Sequence, residues 1–102
     1  MSKIFAVLIE TASDYGDFAI KHPDHNQRQR AWFVQMANDG KLLACGSFSS
    51  PNDAGLWLIR AANRDEAEAI VKTSPRHQNG MLSMDRGRVV EWAVSIGKER
   101  FA

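Results

Sequence analysis

Ile4-Phe5-Ala6-Val7-Leu8-Ile9 is apolar at every position, and Val89-Val90-Glu91-Trp92-Ala93-Val94 near the other end is almost so. Side chains alternate across a sheet, so a strand that is apolar throughout wants cover on both of its faces. Between these two runs the pattern predicts a helix, two strands and a second helix. Two helices can cover one face of a sheet of four strands. The other face then needs a partner, and the economical one is the same face of a second copy.

The first helix is expected to open near Pro23-Asp24, aspartate being a good N-cap, and to stop at Asn38-Asp39-Gly40, where glycine takes the left-handed conformation. Trp32, Phe33, Met36 and Ala37 recur along it at helical spacing and form its buried stripe. Leu42 to Ser49 and Leu56 to Ala62 read as a hairpin joined by the turn-rich Ser50-Pro51-Asn52-Asp53-Ala54-Gly55. Asn63 caps the second helix, Arg64 to about Thr73, which turns Ala67, Ile70 and Val71 inward and ends at Pro75. Thr11 to Pro23 reads as a loop, with Tyr15 and Phe18 packing back on the body. Arg76 to Arg88 reads as a connection that tucks Met81, Leu82 and Met84 inward. The last strand is expected over Val89 to Ile96. In the tail, Phe101 is either disordered or an anchor for a partner subunit.

With right-handed crossovers this order gives one α+β domain over residues 1–102: a ferredoxin-like βαββαβ fold, antiparallel, with both helices on one face. Sets such as Phe5, Val7, Trp57, Ile59, Trp92 and Val94 are candidates for the uncovered face. Periodicity leaves open which alternate set turns toward the helices. An apolar face of that size predicts a twofold dimer.

Composition narrows the function. The chain has 102 residues, 44% hydrophobic and 25% charged, with a net charge of +1. That balance argues against a nucleic-acid binder relying on a basic surface. Arg28, Arg30, Arg86 and Arg88 have Asp24 and Asp85 beside them and read as solvated or locally paired. The lone Cys45 excludes an internal disulfide, fits a reducing compartment, and reads as a small buried thiol. No signal peptide is apparent, and no apolar run nears the roughly 20 residues of a membrane helix. Cytoplasmic residence is the expectation.

No phosphate loop, nucleophile elbow, zinc-type cysteine pair or His-Glu-x-x-His occurs, so no cofactor or metal is implied. His22 and His25 lack the further ligands a metal needs. His25, Gln29, Trp32 and Met36 lie on one helical face, which places a titratable group at the end of the buried stripe. His25 reads either as a hydrogen-bonded histidine at a helix start or as a catalytic base. Ser74 and His77, around Pro75, read either as a helix-end turn or as partners in that chemistry.

These pieces resemble the YCII-related (YciI-like) family of dimeric α/β barrels over nearly the whole chain. The likeness rests on the first strand, on Asp39-Gly40-Lys41-Leu42-Leu43 with Cys45-Gly46, and on Arg64-Asp65-Glu66-Ala67-Glu68-Ala69. Ser74-Pro75 with Gly80 beyond, and Val90-Glu91-Trp92, extend it. The resemblance implies cofactor-free acid/base chemistry by a His-Asp pair, with dehydrochlorinases and lactone-processing enzymes among the relatives. Counted back from Gly40, the family histidine falls on Gln29, and the family aspartate falls on Ser74. Neither replacement can do the original's work, since glutamine takes no proton at neutral pH and serine cannot stabilise an imidazolium as a carboxylate does.

Two functions follow. In the first, the protein is a small enzyme acting on a small organic acid, with His25 as base, Ser74 or His77 as its partner, Gln29 binding substrate and Arg28 or Arg30 holding a carboxylate. In the second, it is a non-catalytic dimeric module that has lost the pair. A haem-degrading relative of the same fold would carry an asparagine on the first strand, which this chain lacks. An RNA-recognition reading lacks its aromatic signature on strand three.

Overall fold

The computed structural model describes residues 2–49, 54–83 and 88–101. Part of the expected hairpin turn (50–53), and Met84 and Gly87 of the long connection, lie outside the described residues.

The elements are β1 Lys3–Thr11, α1 Tyr15–Lys21, α2 His25–Asn38, β2 Leu42–Ser47 and β3 Ala54–Ala61. They continue with α3 Arg64–Lys72, α4 Pro75–Gln78, β4 Leu82–Ser83, β5 Val89–Glu91 and a 3₁₀ turn, Lys98–Phe101. The sheet is antiparallel in the order β2-β3-β1-β4. β4 pairs with Glu10 and Thr11, whereas β5 pairs with Phe5 to Val7. The two short strands therefore share one edge of β1: the last strand, expected over Val89 to Ile96, ends at Glu91, and β4 arises within the stretch read as a connection. The result is the ferredoxin-like α+β arrangement.

Local chemistry accounts for the helix ends. Gly40 has a φ of 74°, and α2 closes with Gly40 N–H on Ala37 O and Lys41 N–H on Met36 O, the bond pair of a glycine-terminated helix. The Asn63 side chain caps α3 by accepting from Glu66 N–H at 2.9 Å. Asp65 and Glu66 in its first turn and Lys72 in its last suit the helix dipole. Asp24 opens α2 without a side-chain capping bond. Its carboxylate instead meets Arg28 at 3.2 Å, one turn on.

Two helices were not expected. α1 occupies part of the stretch read as a loop. α4 begins at Pro75, where the second helix was to end: proline fits a first helical position, and the Ser74 side chain caps the new helix by accepting from His77 N–H.

Strand pairing resolves which alternate set faces the helices. Phe5, Val7, Ile9, Trp57, Ile59, Ala61 and Val89 are buried together with Leu42 and with Ala67, Ile70 and Val71 of α3. Trp32, Phe33 and Met36 of α2 pack against this core. Phe5, Val7, Trp57 and Ile59, considered for the open face, thus lie beneath the helices. The opposite face carries Ile4, Ala6, Leu8, Leu56, Leu58, Val90 and Trp92, and on it Val90 is 47% and Trp92 43% exposed. Phe101 rests on Trp92 of its own chain, ring centroids 6.0 Å apart. Cys45, expected to be buried, is exposed. β2 is an edge strand whose first residue, Leu42, alone is buried, so Cys45 stands on its uncovered part.

Candidate functional site

A cavity of about 280 Å³ opens at one end of the helix-covered face. Its floor is sheet: Ile9 and Thr11 of β1, Cys45 and Ser47 of β2, Gly55 and Trp57 of β3. Phe33 of α2, Tyr15 of α1 and Arg76 of α4 complete the walls. The lining is mixed: Tyr15, Phe33 and Trp57 bring rings, Arg76 a guanidinium, and Thr11, Cys45 and Ser47 polar groups. Ring faces beside a few placed polar groups are what a small-molecule site generally offers.

Gly55 has to be glycine in this floor. A Cβ there would stand 2.5 Å from the Gly46 carbonyl oxygen, so the two strands meet closely at the cavity. Trp57 is held by rings on both neighbouring positions of α2, with centroids 5.3 Å from Trp32 and 5.1 Å from Phe33. Trp32 is fixed in turn by its indole N–H, which donates to Thr73 Oγ1 at 2.9 Å.

The Tyr15–Arg76 wall is built by three helices. The Arg76 guanidinium lies over the Tyr15 ring, 5.0 Å from its centroid. The Tyr15 hydroxyl donates to Asn26 Oδ1, and Arg76 Nη2 donates to the same oxygen at 3.4 Å. One carbonyl oxygen of α2 therefore ties down residues from α1 and α4.

Behind this wall lie three of the residues singled out from sequence. His25 is 1% exposed, and Gln29 and Ser74 are fully buried. The His25 ring meets Phe18 edge-on at 4.9 Å and Tyr15 at 5.8 Å. Gln29 Oε1 accepts from Arg76 N–H at 3.0 Å, and Ser74 Oγ accepts from His77 N–H at 3.2 Å. Gln29 and Ser74 thus satisfy two otherwise orphaned N–H groups at the start of α4. Doing so, they fix the segment that presents Arg76.

His77 is half-buried on α4. Arg28 and Arg30 are exposed on the outer side of α2 and do not line the cavity. Arg28 pairs with Asp24, and Arg30 borders a separate shallow groove with Phe33 and Val34. The cavity's own cation, Arg76, was overlooked in the sequence because nothing along the chain links it to Tyr15. Among the described residues, no three of His, Cys, Asp and Glu come together to hold a metal ion.

Burial, and then the positive charges of Arg76, Arg28 and His22, hold His25 below its ordinary pKa of 6.5, with Asp24 pulling weakly the other way. The folded chain therefore takes this proton at lower pH than the unfolded chain does. Its stabilising contribution is complete above the unfolded value and is lost as the pH falls below it. The melting temperature should drop from pH 7 toward pH 5, and His25→Leu should flatten that part of the curve. An unchanged slope in the variant would assign the pH dependence to other groups. The Cys45 thiol, although exposed, is pushed above its usual value by partial desolvation. Such a thiol is a poor nucleophile at neutral pH.

The model of the YCII-related domain matches residues 8–93. A solved structure of 5-chloro-2-hydroxyhydroquinone dehydrochlorinase from Burkholderia phenoliruptrix, in complex with 2,5-dihydroxybenzoquinone, has a similar fold, with a TM-score of 0.62 and 14% sequence identity. The match covers 94% of this chain and 97% of that one. No curated protein matches. No helix among the described residues is long and apolar enough to cross a membrane.

Proposed function

This chain belongs to the YCII-related family, and we propose that it is a small cofactor-independent enzyme performing acid/base chemistry on a small organic acid. Lactone isomerisation, dehydrochlorination or a related step would suit it. The observation that carries this reading is the cavity that sets three rings beside a single guanidinium, backed by a buried histidine. Trp57, Phe33 and Tyr15 offer ring faces to an unsaturated substrate, and Arg76 meets its anionic group. Arg76 thereby takes the carboxylate-holding role first assigned to Arg28 or Arg30. His25, uncharged at neutral pH, is the base. Gln29 and Ser74 act by fixing α4, with His77 on the same short helix. The similar fold of a dehydrochlorinase that binds a quinone fits a single-ring substrate.

A second copy is proposed to cover the apolar outer face of the sheet, giving a homodimer. We expect it to work in the cytoplasm, where a lone exposed thiol stays reduced.

A second reading, a non-catalytic binding module, is favoured by one observation: the Gln29 and Ser74 side-chain oxygens are both committed to backbone N–H groups. Assaying a panel of lactones and chlorinated aromatic acids separates the two. Turnover that falls at least roughly a hundredfold in His25→Gln, with the circular-dichroism spectrum unchanged, is the expected result. Full activity in that variant removes His25 from the mechanism. If no substrate turns over while ligands still raise the melting temperature, the module reading takes over.

A further inference from the structure

Three buried polar atoms in and behind the Tyr15–Arg76 wall find no partner among the described residues: Gln29 Nε2, Arg76 Nε and His25 Nε2. They belong to one neighbourhood. Gln29 Oε1 holds the Arg76 backbone N–H, and the Tyr15 ring lies against both the Arg76 guanidinium and the His25 ring. Two of the three, the glutamine amide nitrogen and the arginine Nε, can only donate.

The other ends of these side chains are occupied. Gln29 uses its oxygen on α4, and Arg76 gives Nη2 to Asn26. The fold thus anchors each group by one end and leaves a donor free at the other. A buried donor without a partner is costly, and native proteins rarely leave one unless something from outside the chain meets it. Two donors with one full positive charge match an ionised oxygen better than a neutral one.

We infer that Gln29 Nε2 and Arg76 Nε form an anion subsite that receives the carboxylate or phenolate oxygen of a ligand seated in the cavity. Arg76 is only half-buried and lines the cavity itself. The inference rests on the reading that this cavity takes a small organic acid, and it assigns to Gln29 a contact with ligand beyond its hold on α4.

The test uses benzoate and its neutral counterpart benzamide, titrated at pH 7.5 and followed in ¹H–¹⁵N spectra. Benzoate should shift the Gln29 side-chain amide and the Arg76 Nε–H saturably, with benzamide much weaker. Gln29→Glu keeps an oxygen for the Arg76 N–H but replaces the donor with a negative charge. It should weaken benzoate roughly ten- to hundredfold. Gln29→Met, neutral and similar in shape, should weaken it as well and covers the case of a misfolded glutamate variant. The inference is overturned if benzoate shifts the Trp57 indole with equal affinity in wild type and variants while both side-chain signals stay still; the cavity reading survives that outcome. If no cavity residue responds to benzoate, both fail together.

Discussion

Replacing Trp57 with alanine should lower the unfolding free energy by about 3–5 kcal/mol, the range typical of deleting a large buried aromatic side chain. Trp57 is 2% exposed at the middle of β3, between β1 on one side and β2 on the other. It meets the rings of both Trp32 and Phe33, so its loss removes the contact that seats α2 on the sheet. Partial collapse cannot fill the gap, because the ring also walls the cavity and the space left would join it. Domains of this kind are stable by only about 5–15 kcal/mol, so the variant should sit near the edge of folding. Urea unfolding followed by circular dichroism measures it, with Trp57→Phe as the milder control. A loss under about 1 kcal/mol would mean that the aromatic cluster is not the joint between α2 and the sheet.

The same contacts explain what could be read from the sequence and what could not. β1 was legible because six consecutive apolar residues admit little else. Which alternate set faced inward was not, since both sets are apolar; pairing of Val7 with Trp57 and of Phe5 with Ile59 decides it. α3 was legible from Asn63 and the Ala67, Ile70, Val71 spacing, which are local signals. α1 was not, because its seven residues bury none of their own and carry Gly16 and Asp17 at its start. Its evident role is to bring Tyr15 over Arg76. α4 was hidden by Pro75, which ends one helix and begins another. The inward face of His25 and Gln29 followed from their four-residue spacing. The joining of Tyr15, Asn26 and Arg76 did not, being a tertiary encounter of three helices about one side-chain oxygen.

That difference bears on the proposed site. Gln29 and Ser74 hold α4 through Arg76 and His77 N–H, and the charged group they present is Arg76. In the proposed enzyme Arg76 would carry the charge recognition, with His25 one turn before Gln29.

Leu8→Lys should convert the proposed dimer into a monomer with its fold intact. Leu8 stands on the central strand β1, paired with Leu56, on the face that no helix covers. Around it Ile4, Ala6, Leu56 and Val90 extend the same apolar surface. A contiguous apolar face of this kind is uncommon on soluble monomers, and a twofold axis through it would bury the same residues on both sides. Each protomer then brings one lysine into the interface, where the nearest carboxylate on this face, Glu10, is already paired with Arg88 at 2.8 Å, at several kcal/mol per charge. With tenfold in affinity for each 1.4 kcal/mol, the dissociation constant should rise roughly a thousandfold or more. In the free subunit the lysine's long stem lies along the sheet with its ammonium in water, so the monomer itself should lose little. Sedimentation velocity on wild type and variant reads both states directly. A wild-type chain that runs as a monomer at high concentration would remove the dimer, and an unshifted dimer in Leu8→Lys would move the interface off this face.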